Sequence, residues 1–87
     1  MVVPEAQIRA NHSKHVISRI KVLAEPDRTR LLARVAAPRE MLREASVFDW
    51  LPAHIHVQLV DGVCEMLPPV RAVAFWRGLM ADAFSKS

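Results

Sequence analysis

Glycine, cysteine and tyrosine are scarce in this chain: 87 residues contain two glycines, one cysteine and no tyrosine. With glycine confined to Gly62 and Gly78, there is no phosphate-cradling loop and no Gly-x-Ser-x-Gly nucleophile elbow. Cys64 alone forms no internal disulfide framework and suits a reducing compartment. No run approaches the ~18 apolar residues of a membrane span. Met1-Val2-Val3-Pro4-Glu5 lacks both the basic start and the apolar core of a signal peptide. A cytoplasmic location without membrane attachment is expected. No pair of carboxylates has a spacing that argues for acid–base work, so neither an enzyme nor a cofactor is expected.

What is present is apolar and punctuated by proline. Read at about 100° per residue, the segment from Ala53 to Leu67 puts His54, Gln58, Asp61 and Glu65 in one narrow stripe, with apolar residues around nearly all the rest. This is the pattern of a helix buried on most sides, with Cys64 as an inert core residue. Asp49 is placed to cap it, Pro52 fits its first turn, and Pro68-Pro69 stops it. A first helix is expected from Ser13, as cap, to Ala24 with Val16, Ile17, Ile20 and Leu23 inward. A second runs from Pro26 to Ala36 on Leu31, Leu32 and Val35, ended by Pro38, and a third from Pro38 to Ala45 on Met41, Leu42 and Ala45. The last helix carries Val73, Trp76, Met80, Ala83 and Phe84 on one apolar face, and its short connection sets it antiparallel to the central helix. Both glycines fall inside helices, where close approach of a neighbour explains a missing side chain. The expected fold is all-α, a small bundle of four to five helices around a central, largely buried one. Residues 1–11 read as an N-terminal arm and residues 12–87 as a single helical domain.

The hydrophobic fraction of 52% exceeds the ordinary ~45–50%, and so short a chain hides apolar surface poorly. A protein partner, including a second copy in a homodimer, is therefore expected. Phe75 points to the edge of the last helix, and Phe75 and Trp50 are the contact residues this suggests. His56 is the third. It falls among Leu59, Val63 and Met66, away from the stripe of His54, so it is either buried with a hydrogen-bonding partner or covered by another chain.

Charge supplies a second reading. Met1 to Ala45 holds nine Lys/Arg against five Asp/Glu, whereas Ser46 to Ser87 holds three against four. Arg28, Arg30, Arg34, Arg39 and Arg43 take outer positions on two consecutive helices and can form one basic surface for phosphates. Glu40 and Glu44 are interleaved, and neither stacking aromatics nor Asn or Gln for base reading accompany them. Metal binding is not expected: His12 and His15 lie three apart and Cys64 two turns beyond His56, but zinc needs three or four converging ligands.

Two resemblances bear on this. Ile17-Ser18-Arg19-Ile20-Lys21-Val22-Leu23, Leu31-Leu32-Ala33-Arg34-Val35, Phe48-Asp49-Trp50-Leu51-Pro52 and Phe75-Trp76-Arg77 together resemble an uncharacterised helical family of myxobacteria and their relatives. The likeness spans most of Val16 to Phe84. It implies a helical, non-enzymatic regulatory or accessory protein, here a reduced version or a piece of a longer chain, and carries over no functional residue. Leu23-Ala24-Glu25-Pro26-Asp27-Arg28-Thr29-Arg30-Leu31-Leu32 is similar to the early helix of winged-helix repressors of the arsenic-sensing type. The recognition helix and the glycine-turned wing of that family are missing. The expected function is non-catalytic binding of a protein partner, with a small DNA-associated regulator as the alternative.

Overall fold

The computed structural model describes the backbone of residues 6–85 and the side chains of residues 6–82. The order is β1 (Gln7–Arg9), α1 (Ala10–Lys21), α2 (Asp27–Arg34), α3 (Ala36–Arg43), β2 (Trp50–Pro52), α4 (Ala53–Met66) and α5 (Pro69–Ser85). The fold is an all-α bundle of five helices with one two-stranded antiparallel ladder, pairing Gln7 with Pro52, Ile8 with Leu51 and Arg9 with Trp50. Ser46-Val47-Phe48 is a loop, and the extended residues follow it.

That ladder draws part of the expected arm into the fold and explains how two helices start without side-chain caps. Ala10 N–H and Asn11 N–H, at the start of α1, donate to the carbonyls of Asp49 (2.8 Å) and Val47 (3.1 Å), while Ala53 N–H of α4 donates to Ala6 (2.8 Å). Backbone carbonyls thus take the orphan donors that Ser13 and Asp49 were expected to satisfy. Ser13 is instead a buried residue inside α1, and the Asp49 carboxylate accepts from Ser46 N–H at 2.8 Å. Met1 to Glu5 lie outside the described residues.

The helix between Glu25 and Arg34 has a local cause. Pro26 precedes the first turn, and the Glu25 carboxylate accepts from Thr29 N–H at 2.9 Å as well as from the Thr29 hydroxyl. These two bonds, with Arg28 beside it, hold the Glu25 carboxyl below its ordinary pKa. Pro38 does not end α2. It is the third residue of α3, where a missing N–H costs nothing.

α4 is the centre of the bundle and touches all four other helices. Its stripe of His54, Gln58, Asp61 and Glu65 faces solvent, and Val57, Cys64 and Met66 share that exposure. Cys64 is therefore a surface residue rather than part of the core. The buried face is Ile55, Leu59, Gly62 and Val63, at the i, i+4, i+7, i+8 spacing of a single helix face. It meets Val16, Ile17 and Ile20 of α1, Leu31, Val35, Leu42 and Phe75 in one core. Gly62 is there because α2 comes close: a Cβ would lie 2.7 Å from Val35 Cγ1.

α5 is rotated from the expected face. Its sequence offers two apolar stripes, Val73-Trp76-Met80 and Ala72-Phe75-Trp76-Leu79, and the second packs on the core. Val73 and Met80 are exposed, as is Met41 of α3, whereas Phe75 is only 2% exposed. The stripe that wins buries the Phe75 ring, which stands edge-on to Trp76 with centroids 4.8 Å apart. The expected inward placing of Ala83 and Phe84 lies outside the described side chains. α5 also reaches α1: His15 Nε2 lies 3.3 Å from Leu79 O, and the Arg19 guanidinium crosses the space a Gly78 side chain would fill.

Candidate protein-interaction surface

The turn between α3 and β2 is closed by its own side chains. Asp49 N–H donates to the Ser46 carbonyl at 3.0 Å, Ser46 N–H to the Asp49 carboxylate at 2.8 Å and Phe48 N–H to Ser46 Oγ at 3.3 Å. Arg9 from β1 then clamps it, donating through Nη1 to Phe48 O at 2.9 Å and laying its guanidinium 4.5 Å from the centre of the Trp50 ring. The outcome is a fixed backbone with its apolar side chains in water: Phe48 is 72% exposed, Trp50 56% and Val47 43%. Such side chains cost rotamer entropy when a partner covers them, and a stiff turn limits that cost.

Val47 continues this edge into a cleft of about 610 Å³ beside α1, shared with Asn11, His12, His15, His56, Trp76 and Met80. Two of the three residues read from the sequence as partner contacts belong to this region, Trp50 on the turn and His56 in the cleft. The third does not: Phe75 is a core residue, which corrects its expected place at an exposed edge. Phe48 is a further exposed residue of this edge, one that apolar periodicity does not single out. Its sequence signal is the Ser46-x-x-Asp49 pair, which closes turns through side chain to backbone bonds.

His56 is half-buried and has a hydrogen-bonding partner. Ser13 Oγ and His56 Nδ1 share a bond of 2.9 Å whose donor depends on the imidazole tautomer. Ser13 is 1% exposed, so its hydroxyl has no route to a substrate, and the pair ties α1 to α4. Burial lowers the His56 pKa below its ordinary 6.5, and the nearby charge of His12 lowers it further. The folded state then binds fewer protons than the unfolded chain, so this contribution is complete above about pH 6.5 and is lost as pH falls through the lowered pKa. Urea midpoints are expected to drop on acidification below neutrality, and His56→Asn to flatten that slope. An unchanged slope in the variant would place the dependence elsewhere.

Three of the five arginines have carboxylate partners. Arg28 pairs with Glu25 at 3.3 Å, Arg34 with Glu65 at 2.7 Å and Arg43 with Glu40 at 3.4 Å. Arg39 and Arg43 line a common cleft, and its other wall is α1 with Lys14 and Lys21. Those lysines were legible in principle, since a spacing of seven returns to nearly the same side of a helix. β1 and β2 are separated by three helices, so their ladder is not the hairpin of a winged helix. Among the described residues, no cluster of three or more His, Cys, Asp or Glu is placed to hold a metal ion, and no helix is long and apolar enough to cross a membrane. Comparison with protein-family models, curated proteins and solved structures finds no match to this chain.

Proposed function

We propose that this chain is a non-catalytic, cytoplasmic interaction module that binds a protein partner through the edge formed by Val47, Phe48 and Trp50, with the adjoining His56 cleft as its flank. The observation that carries this reading is a pair of large aromatic side chains exposed on a turn whose backbone is closed by hydrogen bonds and clamped by Arg9. Rigid exposed aromatics beside an apolar cleft are the residues that dominate interface energies. A second copy of the chain is one partner that such an edge can accept. Nucleic-acid binding by the arginines is the weaker reading. Three of the five are paired with carboxylates, and no aromatic ring lines the cleft that holds Arg39 and Arg43.

The double substitution Phe48→Ala/Trp50→Ala separates binding from folding. Phe48 is 72% exposed, and removing Trp50 forfeits the Arg9 interaction, worth about 0.5–1 kcal/mol at an exposed site. Helix content by circular dichroism should therefore be unchanged. Partner retention on the immobilised chain should fall at least about thirtyfold, the equivalent of about 2 kcal/mol for one hot-spot side chain. Equal retention by the variant would remove this edge from the interface.

A further inference from the structure

We propose that the cleft between α1 and α3 is a binding site for a ligand carrying a chain of two or more phosphate groups. This does not rest on the aromatic edge, which belongs to the other end of α1. The cleft encloses about 680 Å³ and is lined by Lys14, Ile17, Ser18 and Lys21 from one helix and Ala36, Arg39, Glu40, Leu42 and Arg43 from the other. That volume lies within the roughly 300–1,000 Å³ of small-ligand sites.

Four cations and one carboxylate give this cleft a formal charge of +3, equal to the net charge of the whole chain. Elsewhere on the described surface the arginines are largely matched: Arg28, Arg34 and Arg71 each have a carboxylate within 3.3 Å. Inside the cleft the one carboxylate, Glu40, is engaged by Arg43, and no ion pair engages Lys14, Lys21 or Arg39 among the described residues. Three cations therefore face one concavity with nothing to balance them, an arrangement whose mutual repulsion an anion relieves.

The spacing favours a chain of anions over a single one. At about 1.5 Å rise per residue, Lys14 and Lys21 lie about 10 Å apart along α1, and Arg39 and Arg43 about 6 Å apart along α3. One phosphate cannot reach all four, whereas linked phosphates can meet a lysine on one wall and a guanidinium on the other. Ser18 lies between the lysines, four residues after Lys14, and its hydroxyl donates to the Lys14 carbonyl at 3.1 Å, from which it can turn to a phosphate oxygen. The two buried apolar residues, Ile17 and Leu42, underlie the cleft without offering a ring on which a base could stack. The site should accordingly read phosphates and ignore what they are attached to.

Titration of the 15N-labelled full chain with inorganic tripolyphosphate tests this at low ionic strength. Amide shifts should concentrate at Lys14, Ser18, Lys21, Arg39 and Arg43, and adenosine triphosphate should bind within about threefold of tripolyphosphate. Lys21→Gln/Arg39→Gln should weaken binding at least tenfold. Arg30→Gln/Arg77→Gln removes the same charge outside the cleft and should change it less than twofold. Equal weakening by the two pairs would reduce the effect to net charge and overturn the site. So would dispersed shifts, a tenfold preference for the nucleotide over tripolyphosphate, or displacement of tripolyphosphate by an equimolar glutamate peptide.

Discussion

Phe75→Ala will cost about 3–5 kcal/mol of folding free energy, the range for a large aromatic removed from a packed core. The ring is 2% exposed, packs with the buried residues of α1 and α4, and lies edge-on to Trp76. Little around it can collapse into the space, because the helices it bridges are fixed by other contacts: α1 by the carbonyls of Val47 and Asp49, and α5 by His15 and Arg19. Small domains shift in melting temperature by roughly 4–8 °C per kcal/mol, so a fall of well over ten degrees is expected, with loss of cooperative unfolding as the extreme outcome. Phe75→Glu should unfold the chain outright, since it buries an unpaired charge. Read from sequence as an interface contact, the same substitution would have separated two intact copies. Circular dichroism and sedimentation on that one variant therefore distinguish a core residue from a surface one.

Leu59→Ala should cost about 2–5 kcal/mol. Leu59 is fully buried at the middle of the α4 face, between Ile55 and Val63. The neighbouring Gly62 lets α2 approach so closely that Val35 fills the position of a side chain, which leaves α4 held on both sides and little able to shift into a cavity. Urea denaturation should show a lower midpoint with an unchanged slope, the signature of a lost contact in an otherwise intact fold. A midpoint change equivalent to less than half a kcal/mol would mean that Leu59 is not packed as described.

The helices were legible in the sequence because proline and apolar spacing act locally. Pro26, Pro38, Pro52 and Pro68-Pro69 lie at or near the helix ends, and the polar stripe of α4 faces solvent as its spacing requires. Rotation was legible only where one face was apolar. α5 has apolar residues on two overlapping stripes, so its phase is set by which one fills the core, a question of shape that periodicity does not pose. This is why Phe75 and Met80 exchange their expected places. The ladder between β1 and β2 was hidden for a different reason: its strands are three residues each and separated by 40 positions, too short for alternation to register and too distant for turn chemistry to announce. The candidate surface followed the same division. Trp50 and His56 were visible as residues out of keeping with their surroundings, whereas the outward setting of Phe48 depends on Arg9 reaching across from β1. The α1–α3 cleft was divided between a set of arginines that was noticed and two lysines that only the packing of the helices brings to them.

A photoreactive phenylalanine analogue at position 48, introduced into the full chain in the cells that produce it, tests the protein-binding edge most directly. Irradiation should yield discrete protein adducts, and the same group at Gln58, exposed on the outer stripe of α4, should yield at least tenfold fewer. An adduct of twice 9.8 kDa would identify the partner as a second copy, and any other discrete mass a different protein. No adduct at position 48, or equal adducts at both positions, would contradict the assignment of Val47, Phe48 and Trp50 as a protein-binding edge.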